Sequence, residues 1–544
     1  MTIIQTDPTA HRSGIGPRRV LALALGLGAL AVGFKAVLLM QEAFPFNADE
    51  AVVALMARHI LAGELPVFFY GQAYMGSLDA LLVAAAFRLL GESIEGIRLI
   101  QALLYGATVA TTIVLAWRIH RDLWLAAAVG LLLAIPSVNT TLYTTVSLGG
   151  YGEALLIGSL LMLLSWEAWL NPRRWAPYLV WGLLAGAGIW VFGLVLVFVV
   201  PTAVLMGLAL RSAGRATAAQ RGLIALGGFI LGLAPWLGWT AVHGPEAALR
   251  ELAGSAIAGV GPAGLPAALL YRTVNLLLFG STVIAGIRPP WSVEFLSPLL
   301  SPVAIAFWLA VAGFTMVALR RRDPARAARW MLAGVIAATL LGFLLTPFGA
   351  DPSGRYFLPL IAPLAIFAGE LLAAVRTRYG SVWSGALLAG MLLFHLSASI
   401  QAASANPPGF TTQFDAGTRI DHSDDLALVQ FLLTQGETRG YTNYWVAYPL
   451  AFLSRERLLF VPDLPYHADL RHTPRDNRYP PYAEEVADAL RVAYITTGPD
   501  SLEARLRAEL GRSGVEWREA AVGDYHVFYD LSRPVRPEEL DLAP

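Results

Sequence analysis

The sequence predicts an all-α polytopic membrane domain of about 11 transmembrane helices, followed by a small C-terminal α/β domain outside the membrane. Of its 544 residues, 56% are hydrophobic and 14% are charged, whereas soluble proteins carry roughly 25% charged residues. Apolar runs of bilayer-spanning length recur through residues 20–400. Residues 1–401 contain 25 basic and 17 acidic side chains, and residues 402–544 contain 14 and 22. The chain therefore divides into a basic membrane part and an acidic tail.

The eleven predicted spans are apolar runs of roughly 16 to 21 residues, near the length that crosses a bilayer. They are Val20–Met40, Ile97–Trp117, Leu123–Val138, Tyr151–Trp169, Trp175–Trp190, Val191–Leu210, Leu223–Ala241, Leu299–Leu319, Trp330–Leu345, Tyr356–Val375 and Val382–Ile400. The first run lacks a small-residue cleavage site, so we interpret it as an uncleaved span. We expect residues 1–19 to be cytoplasmic, residues 20–400 to form the membrane domain and residues 401–544 to form the soluble domain.

Two further apolar runs are predicted not to cross. Leu78–Leu90 has only 13 residues and carries Asp79 and Arg88, which favours an interfacial helix. Leu265–Ile284 has Arg272 in its middle. With both runs on the outer side, the arginine-rich loops face the cytoplasm, whereas promoting either one alone would invert every later loop. We therefore expect a multi-pass protein of the cytoplasmic membrane with its N-terminus inside and its C-terminal domain outside.

Composition also excludes several function classes. A formal net charge of zero gives no argument for binding nucleic acid. The absence of Cys excludes disulfides, thiol nucleophiles and sulfur metal sites. The histidines lack zinc-ligand spacing such as His-Glu-x-x-His. The sequence implies no metal and no certain cofactor, and the one evident partner is the lipid bilayer.

The tail alternates helical and extended patterns, which predicts the α/β domain. The predicted helices are Asp424–Leu433, Ala483–Arg491 and Leu502–Leu510, and the predicted strands are Arg439–Trp445, Leu458–Val461, Val492–Thr497 and Tyr525–Tyr529. Aromatic residues cluster around Tyr444 and from Arg478 to Tyr482. Such rings stack on sugars, but packing in a core or at the membrane interface is more common, and we favour it here.

The densest group of polar residues lies in the first outer loop, residues 41–96, where Asp49 and Glu50 follow the first span. One interpretation is that the two carboxylates cap a helix, because free N–H groups and the helix dipole attract negative charge. Adjacent helical residues point about 100° apart, so the pair cannot share one proton. Two distinct roles are therefore expected.

A series of motifs follows in order along residues 20–400. They are the acidic pair Asp49-Glu50, then Ala57-Arg58 and Gly63-Glu64-Leu65-Pro66, then Phe87-Arg88-Leu89-Leu90-Gly91 and Arg98-Leu99, then Gly149-Gly150-Tyr151-Gly152-Glu153, Leu231-Gly232-Leu233-Ala234-Pro235-Trp236 and Gly354-Arg355-Tyr356-Phe357-Leu358-Pro359-Leu360. This order and the topology resemble the GT-C superfamily of integral-membrane glycosyltransferases. The resemblance is to the users of polyprenyl-phosphate sugars, such as protein O-mannosyltransferases and lipid A aminoarabinose transferases.

The resemblance implies an inverting hexosyl- or pentosyltransferase that moves a sugar from a polyprenyl-phosphate carrier to a glycan, lipid or protein acceptor at the outer face. Asp49 matches the family's catalytic base, and Glu50 is expected to orient the acceptor or Arg58. Many relatives have a Pro-Pro pair before the interfacial helix, whereas this chain reads Gly71-Gln72-Ala73-Tyr74-Met75-Gly76-Ser77-Leu78-Asp79. The acceptor and details of donor binding are therefore left open.

Five further residues are candidate substrate contacts, each weighed against a structural role. Arg355 and Tyr356 match the family's Arg-Tyr, and the arginine is expected to clamp the donor phosphate or to anchor the interface. For Arg58 the alternatives are a substrate contact and a position on a solvated helix face. Asp79 binds substrate or caps its helix. Glu153 is costly if it faces lipid, so a role in a cavity is favoured over a helix cap.

Lys35, the only lysine, is predicted to snorkel to the outer interface, since it lies about one turn from the end of span one. The alternative to the enzyme is a non-catalytic GT-C-fold protein, either a transporter or an envelope-assembly scaffold. A transporter is expected to place ionisable residues at span centres. Here polar residues collect in the outer loops, which favours the enzyme.

Overall fold

The computed structural model describes residues 16–247, 261–262, 264–405, 409–414, 419–467, 469–473, 475–498, 500–540 and 542. Of the predicted cytoplasmic segment 1–19, residues 1–15 lie outside the described residues. The described chain is mostly helical and ends in a small sheet-containing domain, so the predicted fold class is confirmed. Helices of the membrane part are Pro17–Met40, Ala48–Ala62, Leu78–Leu90, Ile94–His120, Leu123–Ala134, Val138–Tyr143, Tyr151–Leu170, Ala176–Val191, Leu196–Arg211, Arg215–Gly232, Ala234–His243, Leu265–Val274, Ser281–Ile284, Ser301–Ala318, Arg326–Leu345, Ile361–Tyr379 and Ser381–Ala405.

Nine helices among the described residues are long and apolar enough to cross a membrane, or ten if the pair Arg215–Gly232 and Ala234–His243, bent by 60°, is one span. Eight of the nine coincide with predicted spans. Two more predicted spans are the shorter apolar helices Leu123–Ala134 and Ala176–Val191. The ninth long helix is Leu265–Ile284, which we expected to stay outside the bilayer.

The contacts of Leu265–Ile284 favour the predicted position along the outer face. Near its middle, Arg272 donates to the Leu344 carbonyl at 3.2 Å, at the predicted outer end of Arg326–Leu345. Beyond its end, Gly286 lies against Ser137, just past the predicted outer end of Leu123–Ala134. The middle of the segment and the residues just after it therefore contact the same predicted side of the helical bundle. Its length alone does not make it a crossing, and the topology stays a prediction.

The prediction for Lys35 was wrong. Its side chain is 0% exposed, and its ammonium donates to the hydroxyls of Thr144 and Thr145 at 2.7 and 2.8 Å. It also stands 4.6 Å from the centre of the Tyr105 ring. A buried cation is tolerated where hydroxyl oxygens and a π face replace its water. Lys35 thus ties the first span to the segment that follows Val138–Tyr143.

The first outer loop folds into two helices joined by a hairpin. Asn47 caps the first-loop helix, Ala48–Ala62, by accepting from the Glu50 N–H at 3.0 Å. Strands Phe68–Phe69 and Gln72–Gly76 pair antiparallel. The interfacial helix then spans Leu78–Leu90, with the bounds that the sequence predicts. The hairpin therefore occupies the stretch where the sequence departs from the GT-C pattern.

The C-terminal domain is a five-stranded sheet with helices packed on it. Its strands lie in the order Leu459–Val461, Arg439–Tyr441, Ala493–Thr496, Tyr525–Tyr529 and Arg518–Val522, the first three parallel and the last two antiparallel. Its helices are Asp425–Gln435, Tyr444–Leu453, Pro480–Ala487 and Asp500–Arg512. The predicted strand Arg439–Trp445 is wrong at its end, because Asn443 caps a helix there and accepts from the Trp445 N–H. The strand Arg518–Val522 was missed.

Candidate functional site

The acidic pair of the first-loop helix divides into two environments. The Glu50 carboxylate is 0% exposed and accepts from Arg98 Nε and Nη2 at 3.0 and 2.9 Å. Arg98 also donates to the carbonyls of Phe44 and Pro45. Glu50 therefore fixes the loop before the helix to the following span. It contacts Arg98 and not Arg58, one of the two groups, with the acceptor, that we expected it to orient.

Asp49 faces the C-terminal domain instead. Its side chain is half-buried, and its Oδ1 accepts from the Tyr444 hydroxyl at 2.5 Å. Among the described residues no cation forms an ion pair with it. A carboxylate with one oxygen held and the other unoccupied has the geometry that a general base requires. Beside this carboxylate, burial raises the pKa of Tyr444, so the phenol stays protonated and donates.

A polar strip leads away from Asp49 along the hairpin. The guanidinium of Arg478 lies 5.2 Å from the centre of the Tyr444 ring. With the Gln72 amide oriented to satisfy its neighbours, its oxygen accepts from Arg478 Nη2 at 2.8 Å and its nitrogen donates to the Tyr74 hydroxyl at 3.2 Å. Asp49 and Tyr74, both in the first loop, thus stand at the two ends of a chain of contacts that passes through Tyr444 and Arg478 of the C-terminal domain.

The predicted phosphate-binding arginine, Arg355, has partners of its own. Arg355 pairs with Asp351 Oδ2 through Nε at 2.8 Å and Nη2 at 2.5 Å, and it lies 5.1 Å from the centre of the Tyr356 ring. Tyr356 and Tyr151 both lie within electrostatic range of Tyr74. Arg355 and Tyr356 therefore lie in the same region as Tyr74, and Arg355 already has a counter-ion.

Gly354 is required by close packing beside this arginine. Its φ is +103°, and a Cβ there would clash with Asn139 Oδ1. Only glycine adopts that conformation without strain. The glycine of the Gly-Arg-Tyr motif is therefore explained by the close approach of the Asn139 and Val283 side chains to this backbone.

Asp79 and Glu153 form a second, deeper acidic group. Asp79 Oδ1 accepts from Gln101 at 2.9 Å, and its Oδ2 accepts from the Ser147 hydroxyl. Burial raises the pKa of Asp79. Glu153 is buried next to it. The structure brings these two predicted residues together in an enclosed environment.

Arg58 lies at the junction of the first loop and the C-terminal domain. Its guanidinium donates to Glu92 at 2.8 Å and to Glu456 at 3.2 Å, and it stacks on Phe452 at 4.9 Å. His59 also contacts Glu456, at 2.8 Å. This geometry favours a clasp between the two regions over the predicted substrate contact.

Four residues of the site were not identified from the sequence as its charged or polar partners: Arg98, Gln72, Tyr444 and Arg478. Arg98 was part of a motif, yet its pairing with a residue 48 positions away leaves no local signal. Tyr444 and Arg478 stood in aromatic clusters for which core packing was favoured. Among the described residues, no group of three or more His, Asp or Glu side chains has the geometry to hold a metal ion.

No protein-family model and no curated protein sequence matches this chain. Solved structures do. ArnT from Cupriavidus metallidurans in the apo state is 14% identical with a TM-score of 0.61, covering 92% of this chain and 97% of that one. ArnT bound to undecaprenyl phosphate is 14% identical with a TM-score of 0.56, covering 95% and 98%. ArnT is a lipid A aminoarabinose transferase with the GT-C fold. The predicted likeness to that group is confirmed at the level of the fold.

Proposed function

We propose that this chain is a membrane glycosyltransferase that transfers a sugar from a polyprenyl-phosphate-linked donor to an acceptor at the outer face of the cytoplasmic membrane, with inversion. The observation that carries the proposal is the environment of Asp49. Of the first-loop carboxylates Asp49 and Glu50, it is the half-buried one, it lacks an ion pair among the described residues, and it adjoins a polar strip that leads to Tyr74. The shared fold with ArnT, which binds undecaprenyl phosphate, supports the donor class.

The residues take different parts in this proposal. Asp49 Oδ2 removes the proton of the acceptor hydroxyl, while Tyr444 holds Oδ1. The anionic lipid phosphate leaves toward Arg355 and Tyr356, where a guanidinium stabilises the developing charge. Glu50 positions the loop through Arg98. Asp79 and Glu153 shape the site from within the bundle, and Arg58 holds the C-terminal domain in place.

Deletion of the gene tests the activity whatever the acceptor is. We expect a lipid-linked sugar to accumulate and one glycan modification to disappear, both read by mass spectrometry of extracted lipids and envelope glycans. Complementation with wild-type protein should restore both, and the Asp49→Asn variant should restore neither. Unchanged lipid-linked sugars and glycans in the deletion strain would favour the non-catalytic scaffold.

A further inference from the structure

Arg478 is a buried cation held almost entirely by neutral groups. Its side chain is 6% exposed, its guanidinium donates to the Gln72 amide oxygen, and the Tyr444 ring lies against it. Within the described part of the chain, no carboxylate comes within ion-pair distance of it, and its Nε lacks an acceptor. Burying a charge is costly unless a counter-charge accompanies it, so this arrangement is expected to serve a ligand.

The other arginines around the first loop are neutralised. Arg98 pairs with Glu50, Arg58 with Glu92 and Glu456, and Arg355 with Asp351. Arg478 alone among these four presents a guanidinium without a bound carboxylate. Its two Nη groups donate to the neutral Gln72 oxygen, and its Nε has no acceptor among the described residues. A planar fork of N–H donors is the geometry that binds a phosphate or carboxylate through two oxygens.

The nearest acidic groups compensate Arg478 only in part. Asp476 lies within electrostatic range, but burial raises its pKa to about 7, against the opposing effect of Arg478. At neutral pH this carboxyl is therefore not fully ionised. Asp49 is also within range, and the Tyr444 hydroxyl donates to it. A ligand at the guanidinium would therefore lie next to the proposed base.

We propose that Arg478, Gln72 and Tyr444 form an anion-binding subsite beside Asp49, which holds a phosphate or carboxylate group of the acceptor. This inference rests on the proposed function. The subsite belongs to the acceptor because Arg478 comes from the C-terminal domain, whereas the lipid tail of the donor must stay in the bilayer, nearer Arg355 at the end of its predicted span. The acceptor is therefore an anionic molecule, and the soluble domain selects it.

Direct binding to the full-length protein in detergent tests the subsite. The probe is glucose 1-phosphate, titrated by calorimetry at constant ionic strength, with methyl glucoside as the neutral control. We expect the phosphate probe to bind and the neutral sugar not to bind at the same concentrations. Arg478→Gln should weaken the affinity for the probe by roughly 30-fold or more, as expected for losing one partner of a buried charged contact. Arg478→Lys should recover part of the affinity.

A matched variant and a competition complete the test. Arg512→Gln, at a surface arginine of the same domain that is 72% exposed, should bind the probe like wild type. Undecaprenyl phosphate should bind together with the probe. If undecaprenyl phosphate displaces the probe from wild type, Arg478 belongs to the donor site and the proposal is overturned, even if the Arg478 variants do not fold.

The remaining outcomes separate this inference from the proposed function. Wild type that binds undecaprenyl phosphate but not glucose 1-phosphate would overturn the acceptor subsite and leave the glycosyltransferase proposal standing. Wild type that binds the soluble anion through Arg478 but no polyprenyl phosphate would overturn the glycosyltransferase and, with it, the assignment of this anion to an acceptor.

Discussion

Arg98 donates to both carboxylate oxygens of Glu50, at 3.0 and 2.9 Å, across 48 positions of sequence. This bidentate ion pair is buried on both sides. It explains why an acidic pair follows the first span and an arginine opens the next one. Glu50 is engaged in holding the loop, and Asp49, one residue earlier, is left to face the C-terminal domain.

Loss of the Glu50 charge should destabilise the protein. Glu50→Gln leaves the Arg98 guanidinium buried without a counter-charge, which typically costs about 3–5 kcal/mol. We expect a clear fall in the thermal unfolding midpoint in detergent. The matched control is Asp49→Asn, at the neighbouring position. Equal unfolding midpoints for the two variants would mean that the Glu50–Arg98 pair does not hold the loop.

Loss of the Asp49 charge should instead remove activity. Asp49→Asn preserves size, and the helix is capped by Asn47 rather than by Asp49. Transfer is expected to fall by roughly 10² or more, the usual contribution of a general base, with the unfolding midpoint barely changed. Sugar transfer to the natural acceptor, followed in membranes, is the measurement. Near-normal turnover would assign the base to another carboxylate, such as Glu50 or Asp79.

Binding of the donor phosphate should depend on the planar shape of the Arg355 guanidinium as well as on its charge. Arg355→Lys keeps the charge but loses the planar fork. The affinity for undecaprenyl phosphate should therefore fall more than the stability of the folded protein does. Arg355→Ala should lose both donor binding and turnover. Arg58→Ala is the comparison variant, since Arg58 contacts Glu92 and Glu456 instead. Equal lipid binding by all of these variants would place the phosphate elsewhere.

The clasp around Glu456 predicts that the stability of the contact between the first loop and the C-terminal domain depends on pH. Burial alone would raise the pKa of Glu456, but hydrogen bonds from His59, Tyr482 and Arg58 outweigh it and lower the pKa to about 2. Because the folded value lies below the usual 4.5, this carboxylate contributes stability above about pH 4.5 and loses it as the pH falls toward 2.

Glu456→Gln should therefore destabilise the docking of the C-terminal domain at neutral pH by about 1–2 kcal/mol, since the site is partly exposed. Proteolysis of the segment between the two domains is the measurement, with Arg58→Ala as the companion variant. Below about pH 2 the wild type and Glu456→Gln should become equally susceptible. A difference between them that persists at low pH would contradict the clasp.

The predicted topology places the C-terminal domain outside. A reporter that is active only outside the cytoplasm should be active when fused after Pro544 and silent within Arg320–Arg329, a loop of five arginines. If the C-terminal fusion is stable but its reporter is inactive, the predicted number of membrane crossings is wrong by an odd number. Leu265–Ile284 would then be the first segment to reassign.

Hydrophobic length and periodicity predicted most helices, the interfacial helix and the α/β tail, because each of these is a local property of the chain. The pairing of Glu50 with Arg98 joins distant segments and leaves no periodic signal. Lys35 was misassigned for the same reason, since its hydroxyl partners at Thr144 and Thr145 come from another part of the bundle. The contact of Tyr444 with Asp49 joins two domains, and no spacing along the chain foretells it.

Reconstituted transfer is the most direct test of Asp49 as the base of a polyprenyl-phosphate glycosyltransferase. Purified wild type, Asp49→Asn and Arg355→Ala are incubated with a set of undecaprenyl-phosphate-linked sugars and an envelope extract from the deletion strain. We expect wild type to move one sugar to an acceptor with inverted anomeric configuration and to release undecaprenyl phosphate. Asp49→Asn should bind that donor with unchanged affinity but release almost no undecaprenyl phosphate. Wild type that neither binds nor consumes any lipid-linked sugar would contradict the proposed function.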